Sequence, residues 1–510
     1  MLSRVISCGI LGIDGYRVDV EVDISSGLPT FNIVGLPDTA VKEGRDRIRA
    51  SLKNSGFELP QKRITVNLAP SDIKKEGGLY DLPIAIGILA AFEVVPQKRI
   101  ENFCFIGELS LDGRLNRTKG VLVSAFWAKE NGFSIVVPKE NANESSISGA
   151  KTYSFSTFGE VVAFLRGERE VEQDKFEISY KQKEYEIDFA DIKGQESIKR
   201  MIEVAAAGGH NVLMIGPPGA GKTLISRAIP SILPRLLYDE MIEVTKIYSV
   251  SGLLRDTVVT NRPFRNPHHT ISDAALIGGG TIPKPGEISL AHCGVLFLDE
   301  LPEFKRNVLE SLRTPMDSGT VTISRTQRTV EFPARAQIVA AMNPCPCGYF
   351  GDPKRECRCS YNQIRKYLSK VSGPFLDRID IHIEVPSLTP EEFFGKGESE
   401  SSQKIRTRVE EARKVQENRY RDEKVKLNAN MSPSMIKKYC KLSSTAQKVL
   451  EEAMRRRYLS ARAVSKVLKL SMTISDLEGK NSIETEHILE SLNMRKLEKY
   501  YATFVAAPSL

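Results

Sequence analysis

The chain has 510 residues, a formal net charge of +8, and 41% hydrophobic against 27% charged residues. Its length predicts about three domains at roughly 150 residues each. The composition excludes a protein built from membrane-spanning helices, because the longest apolar run, residues 82–92, is well short of the roughly 20 residues that cross a bilayer. The N-terminus opens directly into a strand-like pattern with no signal-peptide core, so we expect a cytoplasmic protein without a membrane partner.

Residues 1–167 alternate between predicted strands and helices, as in an α+β domain. Alternation of apolar and acidic residues over 16–23 predicts a half-buried strand. The remaining strands are predicted at 64–68 and 135–138, and helices at 39–54, at 82–95 and up to Trp127. The Asp112-Gly113 pair predicts the turn of a hairpin over residues 103–114.

The order of these elements resembles the proteolytic domain of Lon, which has the ribosomal protein S5 domain 2-like fold. Gly107-Glu108-Leu109 before the hairpin and the sequence VPKEN at 137–141 carry this resemblance. It implies a Ser–Lys dyad, so both residues should be present if the domain cuts peptide bonds.

Neither residue of the dyad is found where the resemblance implies it. Leu79 or Tyr80 stands at the position of the serine, and Leu122 stands at that of the lysine, with Lys119 three residues earlier. Without an activated nucleophile no acyl-enzyme forms. We therefore predict a proteolytically inactive structural or binding domain.

Residues 168–188 are charged and weakly periodic, and we predict a linker there. A helix over 197–207 follows, and a buried strand over 212–215 leads into a glycine-rich loop. The loop fits the P-loop pattern G-x-x-x-x-G-K-[ST] without a mismatch. Its residues are Gly216, Pro217, Pro218, Gly219, Ala220, Gly221, Lys222 and Thr223.

Each part of this loop has a role in binding ATP and Mg²⁺. Glycines let successive backbone N–H groups point at phosphate, and the following helix N-terminus favours an anion. Lys222 would reach the β- and γ-phosphates, and the Thr223 hydroxyl would ligate Mg²⁺.

The apolar run over 295–298 predicts a central parallel strand that ends in Asp299 and Glu300. Phosphoryl transfer needs one carboxylate to hold Mg²⁺ and another to orient and deprotonate the attacking water. We assign Asp299 to the first role and Glu300 to the second. Another buried strand, 338–342, ends in Asn343, whose amide would hold the same water against the γ-phosphate.

Two further features lie in this region. His268 and His269 are adjacent in a loop with no suitably spaced metal-binding partner, so we expect them to order the loop. Two alternating runs over 320–332 predict a hairpin whose tip is Arg325-Thr326-Gln327.

Four of the eight cysteines, Cys345, Cys347, Cys357 and Cys359, form a C-x-C, nine-residue, C-x-C insert over 345–359. Four thiolates are a ligand set for one tetrahedral Zn²⁺. The alternatives are a reduced surface cluster and a redox pair, because the C-x-C knuckles are tighter than usual zinc-binding spacings.

In the C-terminal region the sequence predicts a polar connection over 386–402, followed by helices. The charged pattern over 403–426 is typical of a solvated helix face, and contact with DNA is the alternative. Predicted helices at 444–458, 461–479 and 484–493 form a small helical lid.

These motifs together resemble the magnesium-chelatase-like branch of the AAA+ ATPases and, within it, the ComM (YifB) family of competence proteins. The resemblance covers nearly the whole chain. The motifs that carry it are GGHN at 208–211, the P-loop, NPHHT at 266–270, Asp299-Glu300, NPCPCG at 343–348 and Leu376-Asp377-Arg378.

The resemblance implies an α/β fold, with an AAA+ core over 189–386 between the Lon-like domain and the lid at 403–510. It makes Asn343 sensor 1, Arg378 an arginine finger that reaches a neighbouring subunit, and Arg462 sensor 2. The hairpin around Arg325 becomes an insertion that faces the pore of a hexameric ring and contacts DNA, with residues 246–254 as the other candidate.

The function that the resemblance implies is an ATP-driven DNA motor, a branch-migration helicase acting in homologous recombination during natural transformation. The net charge is compatible with DNA but does not require it. The alternative is a metal-insertion ATPase like the magnesium chelatase I subunit, which we expect to lack the Lon-like domain. An ATP-dependent protease is a third reading, which the missing serine disfavours.

Overall fold

The computed structural model describes residues 1–59, 61–176, 185–255, 257–280, 283–325, 328–387, 389, 399–457 and 459–496. It divides into two compact units. The first unit is Met1–Lys181 with the segments Tyr238–Val259 and Ser324–Phe332, and the second is the remainder. The predicted boundary at residue 167 did not anticipate these two inserted segments, because their assignment depends on tertiary packing.

The first unit is organised around a seven-stranded mixed sheet in the order β3-β4-β2-β1-β5-β8-β9. Its strands, with the small hairpin β6-β7, are β1 Leu2–Leu11, β2 Asp14–Ser25, β3 Thr30–Val34, β4 Arg63–Ala69, β5 Phe103–Phe105, β6 Glu108–Leu109, β7 Leu115–Asn116, β8 Ser134–Pro138 and β9 Thr152–Phe155. Its helices before the linker are α1 Thr39–Asn54, α2 Asp81–Ala91, α3 Gln97–Ile100, α4 Val121–Glu130, α5 Ala142–Ser146 and α6 Phe158–Arg166.

The elements of this unit follow from sequence patterns. Val18, Val20 and Val22 alternate along β2 and are fully buried, as period-two spacing requires. Helix α1 begins where the Asp38 carboxylate accepts a hydrogen bond from the Val41 amide, an N-cap that satisfies a free helix donor. Every residue of α2 is buried, so α2 lies inside the unit.

Two predicted elements differ from the structure. Residues 103–105 are not a hairpin arm; they form β5, a parallel strand between β1 and β8, and the hairpin begins only at Glu108. The reason is burial, because Cys104 and Phe105 are completely enclosed. Helix α2 ends at Ala91 instead of residue 95, and Glu93 adopts a left-handed φ of 60° that a helix cannot continue through.

The second unit contains a five-stranded parallel sheet in the order β11-β14-β17-β10-β18. The strands from residue 182 onward are β10 Val212–Ile215, β11 Phe264–Arg265, β12 Gly278–Gly279, β13 Lys284–Pro285, β14 Val295–Leu298, β15 Thr320–Arg325, β16 Arg328–Pro333, β17 Gln337–Met342 and β18 Ile381–Glu384. All residues of β10, β14 and β17 are buried, as expected for central parallel strands.

The helices from residue 182 onward include α9, which belongs to the first unit. They are α7 Glu196–Gly208, α8 Lys222–Ala228, α9 Tyr238–Ser251, α10 Asp273–Ile277, α11 Glu287–Leu290, α12 Arg306–Ser311, α13 Arg313–Ser318, α14 Tyr361–Leu368, α15 Gly373–Leu376, α16 Ser402–Arg419, α17 Pro433–Tyr439, α18 Ser444–Arg457, α19 Ala461–Leu477 and α20 Thr485–Asn493. None of the helices among the described residues is long and apolar enough to cross a membrane.

The inserted helix α9 packs against α4 in the first unit. The Lys246 ammonium lies 4.6 Å from the centre of the Phe126 ring. The Gly120 N–H donates to the Ser249 carbonyl at 3.2 Å, and the Ser249 hydroxyl donates to Glu144 at 2.6 Å. The start of α4, where a Lon-like protease would carry its lysine, is therefore covered by this segment.

The predicted lid helices share one unit with the ATPase core. The Gln416 side chain of α16 donates to the Ala207 carbonyl at 3.1 Å, at the end of α7. Thr473 of α19 hydrogen-bonds to His210 at 2.8 Å, and Asn428 donates to the same threonine at 3.0 Å. A buried polar network thus joins these helices to the residues just before β10.

Candidate nucleotide-binding site

The strand order places three predicted site motifs side by side. Strand β10 runs into the P-loop, β14 runs into Asp299, and β17, which lies between them, runs into Asn343. Because all three strands are parallel, their carboxyl ends meet at one edge of the sheet, where open α/β sheets bind ligands. The buried strands predicted from sequence have the expected arrangement.

The P-loop glycines have two different structural roles. A Cβ on Gly216 would lie 2.0 Å from the Val385 carbonyl oxygen, so no side chain fits there. Gly219 and Gly221 have φ values of 79° and 88°, and no atom lies within 4 Å of the position of a Cβ on either residue. The loop therefore has left-handed backbone facing open space, which is what a phosphate cradle requires.

Lys222 is buried and its ammonium group is held inside the loop. Its Nζ donates to the Gly216 carbonyl at 2.6 Å, to the Pro217 carbonyl at 2.8 Å and to Asn343 Oδ1 at 3.1 Å. Burial lowers the pKa of Lys222 to about 8, because a charged amine is poorly solvated there. A bound phosphate would supply the negative charge that these neutral carbonyls do not.

Thr223 and Asp299, the residues predicted to hold Mg²⁺, are in contact. The Thr223 hydroxyl donates to Asp299 Oδ2 at 2.9 Å. Hydroxyl and carboxylate oxygens are ligands that Mg²⁺ prefers. The residues present therefore fit a nucleotide with its metal ion.

Glu300 follows Asp299 in a left-handed conformation, with φ of 52°. Its amide donates to Asp299 Oδ1 at 3.0 Å, and its own carboxylate lies 3.5 Å from His269 Nδ1. The His268 and His269 rings are 4.1 Å apart. The sequence predicted a loop-ordering role for both histidines but did not predict that His269 lies beside Glu300. The sequence feature that could have indicated this contact is the position of His269 shortly after β11, since β11 pairs with β14.

The two predicted arginines lie elsewhere in the second unit. Arg378 Nε donates to Asp317 Oδ1 at 2.9 Å, and a second bond joins Nη2 to the other oxygen. Arg462, at the start of α19, is 81% exposed and lies 3.6 Å from Asp377. Sequence reasoning missed Asp317 because its pairing with Arg378 spans 61 residues. The Arg325 side chain lies outside the described residues.

The four clustered cysteines converge in space. Their sulfur atoms all lie within 4.8 Å of one another. Cys345 and Cys347 are 3.3 Å apart, and each lies close to Cys357, at 3.6 and 3.5 Å. Tetrahedral Zn–S bonds of about 2.3 Å place sulfurs roughly 3.8 Å apart, so the arrangement fits one metal ion. The Tyr349 backbone amide is the main cause of the lowering of the Cys347 pKa to about 6, whereas burial raises the pKa of the other three thiols.

Comparison with known proteins gives matches along the chain. Three family models match: magnesium chelatase, subunit ChlI, over residues 188–393; subunit ChlI of Mg-chelatase over 20–141; and magnesium chelatase, subunit ChlI C-terminal, over 399–495. Competence protein ComM of Haemophilus influenzae is 44% identical over 97% of this chain and 98% of its own. The uncharacterized protein YifB of Escherichia coli is 43% identical over 98% of both chains. An uncharacterized protein of Mycobacterium tuberculosis is 39% identical over 97% of this chain and 99% of its own.

Proposed function

The chain belongs to the magnesium-chelatase-like AAA+ ATPases of the ComM (YifB) family, and on that premise we propose that it is an ATP-driven DNA motor. Its task would be branch migration of recombination intermediates during natural transformation, carried out as a hexameric ring in the cytoplasm. One observation carries the proposal: the 44% identity to a competence protein extends over 97% of the chain, so the similarity is not confined to one domain.

The chemistry of the motor follows from the residues at the sheet edge. Lys222 neutralises phosphate charge, and the P-loop amides orient the β- and γ-phosphates. Mg²⁺, held by Thr223 and Asp299, would supply positive charge at the phosphate oxygens. Glu300 accepts a proton from the attacking water, and Asn343 holds that water in line.

The Arg378 guanidinium would act on a neighbouring subunit, where it stabilises charge on the transferring phosphoryl group. Arg462 would respond to nucleotide as sensor 2. The hairpin β15-β16 would carry Arg325 to the DNA backbone. Its strands bury Val321 and Val330, which makes it stiff enough to transmit movement.

The second candidate is a metal-insertion ATPase, which the descriptions of all three matching family models favour. We expected the N-terminal domain to separate the two functions. A family model described as subunit ChlI of Mg-chelatase matches residues 20–141, so the presence of this domain alone does not decide between them.

We also propose that the four-cysteine cluster binds one structural Zn²⁺. Four thiolates with a buried member and short mutual distances suit a closed tetrahedral site. Elemental analysis of the purified chain should find about one zinc ion per protomer.

The test of the DNA motor compares ATPase rates without DNA, with single-stranded DNA and with a four-way junction. We expect stimulation by DNA and ATP-dependent migration of the junction, measured by separation of fluorescent arms. The Glu300→Gln variant is the control, because it should bind the same DNA without moving it. ATPase activity that no DNA stimulates would favour the metal-insertion function.

A further inference from the structure

We propose that the four-cysteine loop, residues 345–359, braces the nucleotide site, so that metal binding to its thiols sets the rate of ATP hydrolysis. This inference deepens the proposed ATPase function and rests on it. The cluster would then be a positioning device for the reaction in addition to a structural site. Three contacts within the second unit carry the argument.

The first contact is at the start of the loop. Cys345 is fully buried and is separated from Asn343 by Pro344 alone. Asn343 Oδ1 in turn accepts a hydrogen bond from Lys222 Nζ at 3.1 Å. Because so little chain lies between them, a movement of Cys345 also moves the amide that contacts the P-loop lysine.

The second contact closes the loop on itself. Helix α14 begins just after Cys359, with the Ser360 hydroxyl accepting from the Gln363 amide at 3.3 Å. Burial raises the pKa of the hydroxyl of Tyr367, in the last turns of α14, and the nearby backbone of Asn343 partly offsets that rise. Asn343 therefore lies next to the start of the loop and near the helix that follows its end.

The third contact joins the loop to the P-loop directly. Gly348 has φ of 86°, and its N–H donates to the Cys345 carbonyl at 3.0 Å. A Cβ at Gly348 would lie 2.5 Å from Pro218 Cδ and 2.8 Å from Cγ. The turn over residues 345–348 thus packs against the predicted phosphate-binding loop.

The loop has little apolar core of its own. Within residues 345–359, all of which are described, Cys345 is the one hydrophobic side chain that is buried. A metal ion held by the four sulfur atoms would fix the loop, much as structural zinc stabilises small domains that lack a core.

Loss of the metal should therefore misplace Asn343 and loosen Pro218 while the sheet stays folded. A displacement of about 1 Å in a positioning group can cost roughly 100-fold in rate. We expect kcat to fall by about 10- to 100-fold, with a smaller change in ATP affinity.

The first experiment removes ligands from the full-length chain. Cys347→Ser and Cys357→Ser should lose the metal in elemental analysis and show the fall in kcat. Cys440→Ala is the matched control, because Cys440 is a buried thiol in the same unit but outside the cluster. Amide hydrogen exchange should rise at residues 216–221 and 343–360 in the two serine variants only.

The second experiment leaves the ligands intact. Gly348→Ala and Gly351→Ala both place a side chain at left-handed φ, 86° and 79°, so their backbone strain is matched. At Gly351 a Cβ has no neighbour within 4 Å, whereas at Gly348 it meets Pro218. Both variants should keep the metal, and only Gly348→Ala should lose turnover.

The outcomes separate this inference from the proposed function. A native chain without metal, or a metal-free serine variant with normal kcat and normal exchange, would overturn the brace. Equal behaviour of the two alanine variants would also overturn it. A native chain that binds metal but hydrolyses no ATP would refute the proposed function instead, and hydrogen exchange at the P-loop would still report on the brace.

Discussion

Arg378 is held by Asp317 of its own chain, through hydrogen bonds from Nε and Nη2 to the two carboxylate oxygens. The Arg378 side chain is 21% exposed and Asp317 is 58% exposed, so the pair sits at the surface of the second unit. A surface ion pair of this kind contributes little to stability, about 0–1 kcal/mol. The pairing can therefore be exchanged for another anion without a large cost.

We predict that this arginine completes the site of a neighbouring protomer. Arg378→Ala should lower ATPase activity by about 10³- to 10⁵-fold, the effect of losing an arginine finger. Mixing it with Glu300→Gln should restore part of the activity, because some interfaces then contain both groups. The control is Arg378→Ala mixed with a chain that carries both substitutions, where no Arg378 is present. Mixtures as inactive as their parents, in rings that exchange subunits, would place the finger elsewhere.

Substitutions of Lys222 in the P-loop and of Glu300, which follows β14, should separate ATP binding from ATP hydrolysis. Lys222→Ala removes a buried charged donor and should weaken ATP binding by about 2–5 kcal/mol. Glu300→Gln should keep ATP affinity and lower kcat by roughly 10²- to 10⁴-fold, because its carboxylate acts only when water attacks. Glu303→Gln is the control, since this exposed carboxylate pairs with Lys370. Equal loss of ATP affinity in the first two variants would contradict the assignment.

The β15-β16 hairpin should couple hydrolysis to DNA. Arg325→Ala should keep basal ATPase activity and ring assembly but lose the stimulation of ATPase activity by DNA. The slope of the logarithm of the DNA-binding constant against the logarithm of the salt concentration should fall by the amount that about one phosphate contact contributes. Lys246→Ala tests the other candidate segment, and Lys53→Ala, on α1, controls for loss of charge alone. We expect little effect from Lys246→Ala, because the Lys246 ammonium lies over the Phe126 ring. We also expect little effect from Lys53→Ala, which changes the charge alone. Normal junction migration by Arg325→Ala would show that another loop grips DNA.

Peptidase activity should be absent against unfolded protein, with or without ATP. Tyr80 is only 2% exposed and lies in the short helical turn Gly78–Tyr80, where a nucleophile would have to be accessible. The measurement is release of labelled peptides from casein by purified Glu300→Gln protein. Cleavage that disappears on changing Ser71 would show that a nucleophile lies there instead.

The second unit should lose stability in acid because of His382. This residue is buried beside Arg495 and Lys466, with Asp380 as the opposing charge, and burial lowers its pKa to about 3. Below pH 6.5 the unfolded chain binds a proton at this histidine and the folded chain does not. The fold is therefore more stable above pH 6.5, and this stability is lost as the pH falls from 6.5 toward 3. Between pH 7.5 and 5.5 the free energy of unfolding should fall by about 1.4 kcal/mol from this group.

His382→Leu should remove that part of the pH dependence. Burial also lowers the pKa of His210. His210 is present in both chains, so the pH dependence that it contributes should be the same in both. Urea unfolding followed by hydrogen exchange at β18 measures the change in the second unit. An unchanged slope between the two chains would mean that His382 is not the group that titrates.

The sequence predicted where the motifs of the site lie better than it predicted their surroundings. The P-loop, Asp299 and Asn343 each follow a short apolar run, and such runs end at the same edge of a parallel sheet. The convergence of Cys345 with Cys357 was also a sound expectation, since the spacing allows one ion. These features are local patterns, so a single sequence contains them.

The contacts that the sequence could not predict are all distant in the chain. The pairing of Arg378 with Asp317, the approach of Gly348 to Pro218 and the position of His269 beside Glu300 depend on how elements pack. The same is true of β5, whose three residues resemble a hairpin arm until both neighbouring strands are in place.

Helix α9 and the segment Ser324–Phe332 lie far along the chain from the N-terminal domain but belong to the same unit. Val244 and Ile247 of α9 are completely buried, and Val330 lies against Gly12 in the turn between β1 and β2. A fragment that began at residue 182 would expose these apolar side chains to water and should aggregate.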